Sequence, residues 1–229
     1  MSGMKGYGQF CPVALASELF AQRWTPLILR ELLHGGARFN QLHRGIPLIS
    51  RGLLVQRLLL LIDAGVVERA RGPVYRLTAA GTEFAPIIEG LGTWGQRWMR
   101  ELHREDLSVD FLMWSIRRRI HRDRLPPGRT VVQFRFSGVV PAKSRFWLVL
   151  SRSEVDLCLE DPGFDVDLIV ETGVRAMVEV WRGLSTFADV LREGRLRLEG
   201  RRELRKAFPG WLMLSKFAVV PAPARAGMR

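Results

Sequence analysis

The stretch Ile49–Gly65, ISRGLLVQRLLLLIDAG, decides the reading of the fold. It predicts one helix with a start and a stop. The Ser50 hydroxyl can accept from an orphan backbone N–H one turn on. Gly65 can end the helix by taking a left-handed conformation. Leu54, Leu58 and Leu61 recur at helical spacing and make a core-facing stripe. Arg51, Gly52, Val55 and Gln56 lie on the other side, near the amino end. A capped helix presenting short and polar side chains at its start can enter a major groove. The plain alternative is an ordinary core helix, and the flanking sequence decides between them.

On the amino side, Pro12 suits the first turn of a helix that continues over Val13–Ala21. A second helix is expected over Trp24–Leu33, with Thr25 as its cap before Pro26 and His34-Gly35-Gly36 as its end. Phe39–His43 predicts a short helix, and Ile46-Pro47 separates it from the central one. A short helix, a turn and a capped helix make a helix-turn-helix. After Gly65 the period changes. Val66–Arg69 and Val74–Leu77 flank Ala70-Arg71-Gly72-Pro73 and predict a β-hairpin. Helices followed by a hairpin make a winged helix. A long helix is then expected from Thr78 to about His103. Phe84, Ile87, Ile88, Leu91, Trp94 and Trp98 form its apolar stripe, too large for the end of a small domain. It is read as a homodimer interface.

These blocks carry a resemblance. CPVALASELFAQRWTPLILREL (11–32), RFNQL (38–42), ISRGLLVQRL (49–58), DAGVVER (63–69) and YRLTAAGTEF (75–84) are similar in order and spacing to the HxlR-type winged helix-turn-helix transcription regulators of bacteria. The resemblance covers about residues 10–100 and implies a homodimer on double-stranded operator DNA. Carried over residue by residue, it places Ser50, Arg51, Gln56 and Arg57 on the reading helix. It places Arg38 and Asn40 on the helix before, and Arg69, Arg71 and Arg76 on the wing. Leu59, Leu60 and Ile62 stand where members carry charged residues, so that end of the helix is expected to be covered by the second domain or by the dimer partner. The wing tip is shorter than usual. Cys11 matches a cysteine that senses oxidants or electrophiles in some members. Its plain alternative is a buried small hydrophobe, and no basic residue adjoins it in sequence to lower its pKa.

The bulk numbers agree with a regulator without singling one out. The chain has 229 residues, 47% hydrophobic and 25% charged, enough for two small domains or one large one. A net charge of +12 attracts polyanions. Only Lys5, Lys143, Lys206 and Lys216 are lysines, a bias toward Arg that a GC-rich genome also produces. The basic excess is spread over both halves. Cys11 and Cys158 make neither a metal spacing nor a disulfide framework. The first residues lack the apolar run of a signal peptide, and no apolar run approaches the roughly 20 residues of a membrane span. A soluble cytoplasmic protein is expected.

The second half reads differently. A helix is expected over Asp106–Arg124, ending in the cluster Arg117, Arg118, Arg119, Arg122 and Arg124. The cluster is either a solvated helix end or a phosphate contact. Strands are expected over Thr130–Phe136, Arg145–Leu150, Val155–Leu159 and Val166–Val170, as an antiparallel meander. Helices at Gly173–Trp181 and Thr186–Arg192, a strand at Leu196–Leu198 and a helix from Arg202 to about Leu214 follow. The order FWLVLSRSEVDLCLEDPGFDVDLIVETGVRAMVEVWRG (146–183), then FADVLREGRLRLEGRREL (187–204), is similar to sterol-carrier-protein-2-type domains over about residues 107–216. That resemblance implies five strands and helices around an apolar tunnel. Its candidate lining is Trp181, Leu184, Phe187, Val190, Leu191, Leu204, Phe208, Trp211 and Leu212, with plain core as the alternative for each.

The expectation is therefore a multidomain α+β chain. Residues 1–105 form a winged helix-turn-helix DNA-binding and dimerisation domain. Residues 106–220 form a sterol-carrier-like α+β ligand-binding domain of five strands, and residues 221–229 a disordered tail. No histidine pair, nucleophile elbow, phosphate loop or dinucleotide fingerprint is present. No enzyme activity, metal or cofactor is expected. The function read from these features is a dimeric bacterial DNA-binding transcriptional regulator whose second domain senses an apolar small molecule or lipid. The alternative is a hydrophobic-ligand or lipid-binding protein whose winged helix serves dimerisation and docking.

Overall fold

The computed structural model describes residues 6–223. The chain packs as two compact units, Met1–Leu91 and Gly92–Arg229. The division falls inside a helix rather than at residue 105.

The first unit runs α1 (Pro12–Phe20), α2 (Thr25–Leu32), β1 (Ala37–Arg38), α3 (Phe39–Gly45), α4 (Arg51–Asp63), β2 (Val67–Arg69), β3 (Val74–Leu77), α5 (Ala79–Thr82) and the start of α6 (Ala85–Trp98). In α4, Ser50 Oγ accepts from the Leu53 N–H at 3.2 Å, and Gly65 closes the far end at φ +69°. Leu54, Leu58 and Leu61 are buried with Ile28, Leu29, Leu42 and Val67 in one core. The start of α2 differs from expectation. Trp24, not Thr25, is its N-cap, at φ +80° and with no side-chain cap bond. Thr25 is drawn inside, 1% exposed. A left-handed non-glycine residue costs about 1–2 kcal/mol, so the packing around Trp24 holds it there. The wing has a third strand, since β1 pairs antiparallel with β3 (Ala37↔Tyr75, Arg38↔Val74) on the side away from β2.

The expected long helix over 78–103 is broken. Thr78 Oγ1 accepts from the Gly81 N–H at 3.1 Å and caps the single turn of α5. The chain then bends at Glu83-Phe84 before α6, where Pro86 occupies the first turn. Pro lacks the N–H that would have continued the ladder from α5. The apolar stripe divides as well. Phe84 stacks on Phe20 at 5.4 Å and Ile88 is in the core, while Ile87, Leu91, Trp94 and Trp98 are exposed.

The three side chains at the apolar end of α4 differ in exposure within their own unit. Ile62 packs half-buried on the core of its own unit, but Leu59 and Leu60 are 45% and 37% exposed. Ile62 is four residues after Leu58 and shares its core-facing row. Leu59 and Leu60 continue the rows of Val55 and Gln56, which face away.

The second unit contains α7 (Val109–Arg118), β4 (Thr130–Ser137), β5 (Arg145–Leu150), β6 (Val155–Cys158), β7 (Leu168–Gly173), α8 (Val174–Trp181), α9 (Phe187–Arg192), β8 (Leu196–Gly200), α10 (Arg202–Ala207) and a 3-10 turn at Phe208–Trp211. The sheet order is β6-β5-β4-β7-β8. It is mixed rather than a plain meander, because β7 lies parallel to β4. Val132, Phe134 and Phe136 of β4 face the helices and pack with Met113, Ile116, Met177, Val180 and Trp211. Ser108 caps α7 by accepting from the Phe111 N–H at 3.3 Å, so this helix is shorter than the 106–124 span read from sequence. The last helix stops at Ala207, before Pro209, and not near Leu214. Residues 224–229 of the expected tail lie outside the described residues, and residues 221–223 have no regular structure. Among the described residues no helix is long and apolar enough to cross a membrane.

Candidate nucleic-acid interface

Helix α4 is the middle of the candidate surface. Its buried side is Leu54, Leu58 and Leu61. Its exposed side is Arg51, Gly52, Val55 and Gln56, continued by Leu59 and Leu60, with the exposed cap Ser50 at its amino end. Gly52 has open space where a Cβ would stand, so the start of the helix presents backbone.

Helix α3 positions Arg51. The Arg51 Nη2 donates to Asn40 Oδ1 at 2.9 Å, and its guanidinium lies 5.0 Å from the Phe39 ring centre. Helix α3 is itself fixed from beneath. Glu31 on α2 is 3% exposed and paired with Arg30 at 2.9 Å, while Arg30 also donates to the Gly45 carbonyl at 2.9 Å. A Cβ on Gly45 would come 1.9 Å from the Glu31 carboxylate. At the start of α3, the Arg38 N–H donates to Gln41 Oε1 at 2.8 Å, and the Arg38 residue is exposed.

The structure separates the nine expected contact residues by orientation. Arg38, Asn40, Ser50, Arg51 and Gln56 are exposed, on α3 and α4 or at their N-caps. Arg57 is turned aside: it is half-buried, and its Nε donates to the Arg23 carbonyl at 3.3 Å, tying α4 to the α1–α2 turn. On the wing, Arg71 is exposed next to Gly72, which turns the chain at φ +79°. Arg69 lies over Tyr75 at 5.5 Å. Arg76 is held by Glu68 at 2.6 Å, so its charge is offset locally. Sequence reasoning missed the Arg30–Glu31 pair. Its one signal is a carboxylate on the apolar side of α2.

Cys11 is exposed and is the N-cap residue of α1. The backbone N–H groups of Ala14 and Val13 hold its thiol below the usual value, against a small opposing effect of burial. They do so without a cap hydrogen bond of normal geometry. The cause is the helix start, which inspection of neighbouring charges does not reveal. Cys158 moves the other way, pushed up by burial and by the Asp156 charge.

In the second unit, Trp181, Val190, Leu204, Phe208, Trp211 and Leu212 of the expected ligand lining are core residues, with Phe187 packed against them. Phe208 meets Trp211 at 5.9 Å and Phe187 at 5.8 Å. Leu184 is half-buried and Leu191 sits at the surface. The Arg117–Arg124 cluster is engaged in the scaffold. Arg117 and Arg118 lie over Trp114, Arg119 donates to the Leu214 carbonyl, Arg122 to that of Ser153 and Arg124 to that of Gly210.

Comparison with known proteins bears on the amino-terminal part of the chain. The family described as HxlR-like helix-turn-helix matches residues 19–103. The uncharacterized HTH-type transcriptional regulator YvaP of Bacillus subtilis (strain 168) is 34% identical over 98 residues, 40% of this chain and 91% of that protein. An uncharacterized HTH-type transcriptional regulator of Mycobacterium bovis is 39% identical over 93 residues, 38% of this chain; the match spans 58% of that protein's length. Among solved structures, quinone-bound YodB from B. subtilis is 34% identical, with a TM-score of 0.35, over 37% of this chain and 96% of that one.

Proposed function

The chain belongs to the HxlR-like helix-turn-helix family, and from that premise we propose that it is a dimeric DNA-binding transcriptional regulator. The observation that carries this reading is the exposed start of α4, with Arg51 held in place by Asn40 and Phe39. Gln56 and Arg51 read base edges in the major groove, where a good bidentate contact is worth about 1–3 kcal/mol of discrimination. Arg38 and Arg71 contact phosphates and set register. Arg57 supports α4 rather than reading DNA. Two copies associate through Ile87, Leu91, Trp94 and Trp98 of α6 and place their reading helices about 34 Å apart. The chain acts by binding and not by catalysis.

The second unit is read as the effector-binding part, a sterol-carrier-like body for an apolar molecule. Two features support this: the mixed five-stranded sheet with its helices packed on the Phe134 side, and the Trp211 ring N–H, buried with no hydrogen-bond partner among the described residues. An unpaired buried donor costs about 1–3 kcal/mol, which a ligand acceptor would recover. To regulate, such a ligand must bind the DNA-competent and incompetent states unequally.

The test selects a duplex from a random library and measures its affinity for wild type, Arg51→Ala and Gln56→Ala. Each substitution should weaken the selected site about tenfold and relax base preference at one position. Unchanged affinity and preference in both would remove the reading role from α4. Absence of salt-dependent DNA binding, together with a co-purified lipid seen by mass spectrometry, would favour a ligand carrier whose winged helix only docks.

A further inference from the structure

The second unit has another feature that the DNA reading does not use. The sheet face away from the helices carries a row of charge set by strand register. Arg145 on β5 stands opposite Arg135 on β4, Arg135 beside Glu171 on β7, and Glu171 opposite Arg197 on β8. Like charges directly opposite each other in a sheet are destabilising. Here they edge an open concavity of about 750 Å³, also lined by Arg175, Arg195, Ser137, Ser144, Thr172 and the turn glycine Gly194. Against its five arginines the lining offers the single carboxylate of Glu171.

The arginines are not equivalent. Arg135 donates to Glu171 at 3.2 Å and to Gln133 at 2.7 Å. Arg195 bridges Glu179 and Glu193, and Arg175 donates to the Leu102 carbonyl. Arg145 and Arg197 are exposed and, among the described residues, make no ion pair or hydrogen bond. Helix α8 begins in the same concavity. Its N-cap is Gly173, with no side chain to satisfy the first amides, and Gly173 and Ala176 are among the lining residues. Amides at a helix start without a side-chain cap and arginine forks are both donors suited to an oxyanion. They come from three strands, a helix start and a turn that line the one concavity. Arginine forks in this excess suit the several charged oxygens of a phosphate or pyrophosphate. The volume is that of a small-molecule site.

We propose that this concavity binds a small molecule through a phosphate or pyrophosphate group, with Arg145 and Arg197 as the unpaired guanidinium donors and the start of α8 as the amide donor. Glu171 holds Arg135 in place at the centre of the row. The proposal does not depend on how the first unit meets DNA.

Calorimetric titration of the full chain with inorganic pyrophosphate tests it, with citrate as a second titrant at equal ionic strength. The variants are Arg145→Gln/Arg197→Gln and, as a comparator of equal charge, Arg202→Gln/Arg205→Gln on the exposed side of α10. Wild type and comparator should bind pyrophosphate saturably, one per chain, and tighter than citrate. The first double variant should bind at least about tenfold more weakly, the loss expected from removing charge-assisted donors. It should melt no lower than wild type, since neither side chain has a partner to lose. Should it fail to fold, the single Arg145→Gln reads the same loss. The proposal is overturned by the absence of saturable binding to wild type, by an equal loss in the comparator, or by citrate binding as tightly as pyrophosphate. It is also overturned if the double variant loses duplex DNA affinity in the same proportion, which would make these arginines a backbone-contact surface.

Discussion

Arg51 is aimed by two contacts of different kinds, the Asn40 acceptor and the Phe39 ring. Removing the acceptor leaves the charge but frees its direction. Asn40→Ala should therefore weaken the selected duplex several-fold while affinity for random duplex stays close to wild type, because backbone attraction does not need a fixed fork. Fluorescence anisotropy on both duplexes checks this; an equal loss on both would make Asn40 a phosphate contact. Cys11 gives a second prediction at this scale. Its thiol lies below the ordinary value because the Ala14 and Val13 amides favour the thiolate, and Cys158 lies above it through burial and Asp156. A lowered pKa means more thiolate at neutral pH. Iodoacetamide near pH 7 should thus modify Cys11 well before Cys158, and the gap should narrow as pH rises and Cys158 ionises. Peptide mass spectrometry reads both sites. Equal rates at neutral pH would remove the helix-start effect.

Elements α2, α3 and α4 depend on close backbone approach. Gly45 abuts the buried Glu31 carboxylate, and that carboxylate cannot withdraw without losing Arg30. Gly45→Ala should destabilise the first unit by about 1–3 kcal/mol, the usual range for overpacking, read from the urea midpoint at unchanged slope. Ser50→Ala removes the cap of α4 and should cost about 1 kcal/mol; no shift in midpoint would mean that water replaces the hydroxyl without loss. The same elements show what the sequence makes legible. The ends of α4 are written in Ser50 and Gly65, the core row in Leu54, Leu58 and Leu61, and the wing in its Gly72-Pro73 turn. These are local signals, each complete within a few residues. Strand β1 was not legible, because Ala37-Arg38 becomes a strand only by pairing with β3. The parallel placement of β7 beside β4 was hidden for the same reason, since short turns on either side read as a meander. The arginine concavity is the extreme case. Its residues span positions 135 to 197, and only register brings them together.

At the scale of the whole molecule the outstanding question is what covers the exposed apolar side chains. Ile87, Leu91, Trp94 and Trp98 recur at spacings of four, three and four along one face of α6, and Leu91 is 48% and Trp94 57% exposed. Phe10, Val13 and Leu15, next to and within α1, are exposed as well. Covering a large apolar side chain fully is worth about 1.5–3 kcal/mol. Four from each of two copies, even partly covered, can offset the cost of association, which is about 4–15 kcal/mol. In the proposed dimer this face would pair with its own copy by two-fold symmetry, the symmetry of a palindromic operator. Leu91→Glu/Trp94→Glu should then sediment as a monomer at concentrations where wild type is a dimer. Both side chains point outward, so circular dichroism should show the helical content unchanged. A monomer reaches only one half-site and gives up the gain from linking the two. The same variant should therefore lose more than about tenfold in affinity for a two-half-site duplex and little for a single half-site. If it stays dimeric, the copies meet elsewhere, and the exposed α1 residues become the next surface to substitute. If it is monomeric yet keeps full affinity for the two-half-site duplex, one copy suffices for recognition, and the two-fold reading of the operator fails.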